Sequence, residues 1–235
     1  MKNIFLLTII PLLISCSSEK EIKLIKLVGS PDYSESELKL SSVSGEYDFS
    51  FDVLNYNLGE QTEGAKEKGL ANSAKGQHIH FIVNNDPYSA HYNSNFSKEL
   101  EVDNNVILAF LSRSYHESVK NKKAYVLTQI SKDKTKEIDL TKQFLFYSRP
   151  KGVYKGEDTK KLLLDFYLVN TEISPKGNKV RLTVQEKEFI IDSWEPYYIE
   201  GLEKGEVNLK LELIDERNNL IKTEFNPSYR KVILE

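Results

Sequence analysis

The chain has 235 residues, 40% hydrophobic and 29% charged, and a formal net charge of −3. Lysines and acids are well mixed, so no basic block exists to neutralise phosphates, and nucleic acid is excluded as a partner. The single cysteine, Cys16, rules out a disulfide, a cysteine-based metal site and a thiol nucleophile in the rest of the chain.

The N-terminus reads MKNIFLLTIIPLLISC. A lysine precedes an apolar run from Ile4 to Ile14, too short for a permanent membrane span and of the length of a secretory leader. Leu13-Ile14-Ser15-Cys16 resembles the lipobox of bacterial lipoproteins. That resemblance implies removal of residues 1–15, lipidation of Cys16 and a stable anchor of two or more acyl chains, such as palmitate. Ser17 and Ser18 follow in place of Asp, which in lipoproteins implies release to the outer membrane, facing periplasm or cell surface. Residues 16–35 are polar and weakly patterned and are expected to form a tether.

From Ser36 onward the chain reads as strands. Apolar and polar residues alternate, β-branched and aromatic residues are dense, and turns rich in Asn, Asp and Gly separate the runs. An internal repeat orders them. GQHIHFIV at Gly76 aligns without a gap on GNKVRLTV at Gly177. FDVLNYNL at Phe51 aligns on FYLVNTEI at Phe166, and DNNVILAFL at Asp103 on GEVNLKLEL at Gly205. Two tandem immunoglobulin-like antiparallel β-sandwiches are expected, over 36–134 and 137–235, since about seven short strands in about 100 residues suit that fold.

The repeat assigns faces. In the second copy Val180, Leu182 and Val184 alternate with Lys179, Arg181 and Thr183, so the apolar set faces the core. Transferred to the first copy, Ile79, Phe81 and Val83 point inward, while His78, His80 and Ile82 point out to solvent. The two imidazoles then share one outer face, with Cα atoms about 6.5–7 Å apart.

The first copy departs from the second in two places. Where the second needs only SPKG, the first has GEQTEGAKEKGLANSAKG, about 14 residues longer, with Gln77 alone between it and His78. This 59–75 loop is the kind of insertion that carries binding function. The strand around Ile107 is apolar on both faces, with Val106, Leu108 and Phe110 where the second copy has Asn208, Lys210 and Glu212. Something covers that face: the 59–75 loop, the other domain or a partner.

Three readings compete. His78, His80, Tyr88, His91, Tyr92, Arg113, Tyr115 and His116 are side chains that read a peptide or glycan by stacking and forked hydrogen bonds. His-x-His on one strand also chelates: with His91 or His116 it would give a three-histidine site for zinc or copper, with Glu117 orienting a ligand or itself ligating. A purely structural envelope role is the third reading. Catalysis is not expected. Ser112, Ser114 and Ser118 lie near His116 in sequence, but no Gly-x-Ser-x-Gly elbow accompanies them. Trp194, Pro196, Tyr197 and Tyr198 read as packing residues beside a turn.

Gln77–Tyr92 with Ala109–Ser118, and the blocks LFYSRPKGVYKG and LLLDFYLVNT, resemble a group of bacterial outer-membrane lipoproteins of unsettled role. Some of these are labelled phosphopeptide-binding. The resemblance covers most of the chain and implies a lipid-anchored β module without enzymatic chemistry. The Gly-Arg and Ser-x-x-His pattern of forkhead-associated domains is absent, so phosphopeptide recognition is not carried over.

Overall fold

A computed structural model describes residues 20–45, 47–100, 104–131 and 137–235. The expected leader and Cys16 lie outside the described residues. Among the described residues the regular structure is β-strand with 3-10 turns at Lys66–Lys68 and Gly156–Thr159, and no helix is long and apolar enough to cross a membrane.

The chain opens with β1 (Lys23–Lys26). The first sandwich follows: β2 (Glu37–Ser44), β3 (Asp48–Leu54), β4 (His78–Val83), β5 (Ser89–His91), β6 (Asn95–Ser97), β7 (Asn104–Ser112) and β8 (Tyr125–Ser131). The second comprises β9 (Phe144–Arg149), β10 (Gly152–Tyr154), β11 (Leu162–Val169), β12 (Lys179–Val184), β13 (Lys187–Ile191), β14 (Tyr197–Glu200), β15 (Gly205–Ile214) and β16 (Ser228–Leu234).

In the first unit a β2-β3-β6 sheet faces a β5-β4-β7-β8 sheet. In the second, β9-β11-β14 faces β13-β12-β15-β16 in the same relative order. The fold is thus all-β, with two immunoglobulin-like sandwiches of one topology. Two strands extend the second unit. β10 pairs parallel with β16, and β1 pairs antiparallel with β14, Lys23 opposite Glu200.

Each sandwich closes on its own core. Phe49, Phe51, Ile79, Phe81, Ile107 and Leu111 fill the first; Leu164, Phe166, Val180, Leu182, Leu209 and Leu211 are among those that fill the second. β12 alternates buried and half-buried residues as a strand with one wet face must. β4 is buried almost throughout, because a second layer covers its outer face.

That layer is the second domain. Ile82, Val106, Leu108 and Phe110 pack against Phe144, Phe146, Tyr167 and Val169, with Trp194 at the edge. Phe110 stacks on Tyr167 at 4.7 Å between ring centroids. Full burial of such side chains contributes about 1.5–3 kcal/mol each, so this seam is a third core rather than a loose contact. Polar bonds cross it too: the Tyr147 amide donates to Asn85 Oδ1 at 2.8 Å, and Ser118 Oγ and Lys120 Nζ reach the buried Asp165 carboxylate at 2.7 and 2.8 Å.

Two expectations need correction. The described part of the 16–35 segment is not a free tether: β1 extends the β14 edge, Leu27 is buried, and Ser30 Oγ donates to Glu117 at 2.5 Å, so the segment laces both domains. The cause is its own pattern, in which Ile22 and Leu24 join the second core. The 59–75 loop is pinned to the fold and not free-standing, while most of its polar residues stay exposed. Ala65 and Leu70 insert beside Leu27, Tyr115 and Leu163 in a small fourth cluster, and the Ser114 amide donates to Thr62 Oγ1 at 2.9 Å.

Candidate functional site

β4 lifts His78 and His80 out of the first core onto the face that meets the second domain. The expectation that they face away from Ile79 and Phe81 matches this structure, but their exposure does not: both are 0% exposed. Their sheet face is the inner wall of the seam, with Ser148 on β9 and Phe110 on β7 against His80.

The third imidazole is His116. It lies at the end of a turn closed by its own amide donating to the Arg113 carbonyl at 2.8 Å. Its φ of 71° is in the left-handed region, which a non-glycine residue holds only when its surroundings enforce it. The turn brings the half-buried ring back over β4, 5.0 Å from the His78 ring.

The nitrogens converge. His78 Nε2 lies 2.9 Å from His80 Nε2 and 3.2 Å from His116 Nδ1, and one ligating atom from each residue lies within 4.8 Å of the others. His78 Nδ1 is 2.8 Å from the Gly76 carbonyl. A carbonyl only accepts, so Nδ1 carries the proton and Nε2 keeps a bare lone pair. Ser148 Oγ stands 3.2 Å from His80 Nδ1, and the Tyr88 hydroxyl 3.1 Å from His116 Nδ1. The Tyr88 ring lies parallel to His80, 3.5 Å between centroids and tilted by 14°. Lys151 Nζ sits 3.8 Å from the same ring's centroid and Arg149 5.3 Å.

The electrostatics keep all three rings neutral. Burial holds His78 down at about 4 despite its bond to Gly76. His80 is driven well below the usual imidazole value by burial, then by His78 and His116 and by Arg149 and Lys151. His116 is lowered by burial, then by Arg149. Lys151 itself is brought down to about 8, first by burial and then by Arg149 and Arg230. Neutral imidazoles at pH 7 are metal-ligand donors, not acids.

The other expected residues divide. Tyr88 joins the cluster, buried at 3% exposure and not at the surface. Tyr92 borders it, its ring 5.1 Å from His78 and its hydroxyl 2.8 Å from Ser73 Oγ. His91 does not join: it pairs with Ile79, so it shares the opposite face, where it stacks on Phe96 at 3.5 Å. Arg113 is buried and committed to Glu117 at 2.9 Å and to the Ser118 carbonyl at 3.0 Å. Glu117 is thereby turned away from the imidazoles. Tyr115 is fully buried in the cluster under the 59–75 loop. A peptide- or glycan-reading face made of His78, His80, Tyr88, Arg113 and Tyr115 is therefore corrected: these groups are inside the fold, because the second domain and the long loop cover them.

Ser148, Arg149 and Lys151 of the second domain were not among the expected site residues. The segment SRPK carries no periodic signal linking it to HIH, and only the packing of two domains brings them together. Trp194 does pack as expected, joining both the second core and the seam and donating its indole N–H to the Phe166 carbonyl at 3.0 Å.

No protein-family model matches the chain, and no curated protein does. Among solved structures, it is similar to the fibronectin(III)-like modules of Clostridium thermocellum CbhA, at 13% identity over 84% of this chain and 94% of that one, with a TM-score of 0.31. It is similar to the two tandem V-type regions of a v-region-containing chitin binding protein, at 7% identity over 85% of this chain and 99% of that one, with a TM-score of 0.25. A third likeness is to SGBP-B of a Bacteroides ovatus mixed-linkage glucan utilization locus, solved with a mixed-linkage heptasaccharide, at 7% identity over 67% of this chain and 61% of that one, with a TM-score of 0.20.

Proposed function

We propose that this chain is a lipid-anchored, non-enzymatic binding protein of the cell envelope whose ligand is a divalent transition-metal ion, zinc or copper, held by His78, His80 and His116. One observation carries the reading. The bare lone pair of His78 Nε2 faces two ring nitrogens, at 2.9 and 3.2 Å. With neutral rings only one hydrogen can occupy that lone pair; when His80 supplies it, His116 Nδ1, which accepts from the Tyr88 hydroxyl at 3.1 Å, still turns its own lone pair on that of His78. A cation among the three satisfies all of them at once.

The spacing supports this. A tetrahedral zinc with bonds of about 2.0–2.1 Å sets nitrogen–nitrogen edges of about 3.3 Å. The two shorter separations fall near that value, and the third edge, at up to 4.8 Å, closes as the rings turn onto the ion. An all-nitrogen imidazole set suits zinc and copper over calcium or magnesium, which take oxygen. Gly76 and Ser148 orient His78 and His80 as outer partners, and the partly exposed edge of His116 gives an ion its way in. The anchor rests on Leu13–Cys16, and export makes the absence of further cysteines consistent with a histidine-only site.

The test is metal content. Protein purified without a histidine tag and stripped with a chelator should take up one zinc or copper ion per chain, and His78→Ala with His116→Ala should abolish uptake while leaving the β-sheet spectrum intact. Folded wild-type protein that retains no ion under these conditions refutes the reading. Cys16→Ala should move the protein from the membrane fraction to the soluble one.

A further inference from the structure

Three neutral imidazoles leave a divalent ion with its charge uncompensated, and the surroundings add to it. Arg149 is buried at 8% exposure, donates to the Tyr154 hydroxyl at 2.9 Å, and has an Nε without a partner. Lys151 is half-buried and donates to the Tyr88 carbonyl at 2.6 Å. Among the described residues the ligating cluster contains no carboxylate, and Glu117, next to His116, is spent on Arg113. A dication beside two cations in a dry seam is held more tightly when an anionic donor joins it.

One group that can become such a donor on binding the ion is in place, a phenol that burial otherwise holds protonated above its usual range. The Tyr88 hydroxyl is 3.1 Å from His116 Nδ1, again close to the edge of about 3.3 Å that tetrahedral coordination sets. Its ring is fixed between His80, stacked at 3.5 Å, and Lys151, 3.8 Å from the centroid. Tyr92 is less well placed, its hydroxyl bound to Ser73 at 2.8 Å.

We infer that Tyr88 is the fourth ligand, its phenolic oxygen closing a centre of three histidines and one tyrosinate that takes copper(II) or zinc(II) in preference to copper(I). The inference rests on the three-histidine reading. On binding, the phenol O–H bond breaks, its proton passes to solvent, and the oxygen electron pair forms the metal bond; nothing is oxidised or reduced. Arg149 and Lys151 then flank a phenolate, which turns two groups that oppose a cation into groups that hold its ligand. A hard anionic oxygen disfavours the soft cuprous ion.

Copper(II) alone is the probe, added to stripped full-length protein. One equivalent should produce a visible phenolate-to-copper charge-transfer band, with phenolate ring modes in resonance Raman. Tyr88→Phe, close in shape, should still bind copper, with the band gone and affinity reduced about 10- to 100-fold, the scale on which supporting partners of metal sites act. Tyr92→Phe should keep the band. Stoichiometric copper without the band in the wild type, or a band unchanged in Tyr88→Phe, overturns the tyrosine assignment and leaves the three histidines standing. Folded wild-type protein that binds no copper or zinc overturns both. If Tyr88→Phe does not fold, Tyr92→Phe decides the matter: a band kept there supports Tyr88, and a band lost there overturns the assignment.

Discussion

His78 and His80 stand two positions apart on β4, and their Nε2 atoms are 2.9 Å from each other. The pleat puts residues i and i+2 on one face at about 6.5–7 Å between Cα atoms, so the rings have to lean together to meet this closely. Two partners make them lean: the Gly76 carbonyl takes the outer nitrogen of His78, and Ser148 of the second domain takes that of His80. The second domain thus completes a site whose nitrogens come wholly from the first.

If so, the three nitrogens are not equivalent to the fourth histidine in the chain. His116→Ala should weaken zinc binding by more than about 100-fold, since loss of an outer partner alone costs 10- to 100-fold. His91→Ala should bind as the wild type does, because that ring lies on the opposite face against Phe96. Competition with a chromogenic chelator reads both. Equal losses in the two variants would refute the assignment.

Metal should also stabilise the fold, because the unfolded chain has no preformed site. Free zinc at about 100 times its dissociation constant adds about 2.7 kcal/mol. For a chain of this size each kcal/mol moves the melting temperature by about 2–4 °C, so a rise of roughly 5–10 °C is expected in scanning calorimetry, reversed by chelator. The His78→Ala variant should show no rise.

The sandwich units were legible because a strand with one wet face must alternate, as β12 does at Val180, Leu182 and Val184. The same rule exposed the second buried face of β7, where Val106, Leu108 and Phe110 replace polar counterparts. It did not say what covers that face, since periodicity records that a side chain is hidden and not by what. Burial of His78 and His80 followed from that missing fact: a histidine is polar enough to read as exposed until its neighbours Leu108 and Phe110 are counted with it. His116 and Tyr88 needed three-dimensional turns to reach the cluster, and β1 paired across more than 170 positions, a distance at which no local pattern carries information.

The β1 edge gives a third test. Gly201 has a φ of 81°, and a Cβ there would overlap the Glu21 carbonyl oxygen. Gly201→Ala should therefore cost more than about 1 kcal/mol and free the N-terminal strand first. Hydrogen exchange should accelerate at residues 23–26 while β9 and β11 stay protected. Unchanged protection at residues 23–26 would show that β1 does not need this close approach.

The seam itself can be opened. Phe110 is fully buried between Tyr167 and His80, and its truncation to Ala should cost about 3–5 kcal/mol. Because it belongs to neither domain's own core, the loss falls on the coupling between them. Urea unfolding should pass from one transition in the wild type to two in Phe110→Ala. A single transition shifted by less than about 1 kcal/mol would mean that the domains are not coupled through this residue.

Acid should destabilise the metal-free protein in a defined window. His78 and His91 are each held at about 4 by burial, His91 with help from Lys98, against 6.5 for the ordinary imidazole. Between those values the unfolded chain carries the proton and the folded one does not. The unfolded state therefore binds more protons there, and stability rises with pH. It is full above pH 6.5 and falls as the pH drops towards 4, by about 1.4 kcal/mol per pH unit for the buried His78 and by less for His91, whose half-buried ring is partly screened by solvent. Urea midpoints measured from pH 7.5 to 4 in chelator should trace this slope, and His91→Phe, which keeps the stack on Phe96 and cannot titrate, should flatten it by one histidine's share. A midpoint constant down to pH 4.5 would mean that these rings are already solvated in the fold.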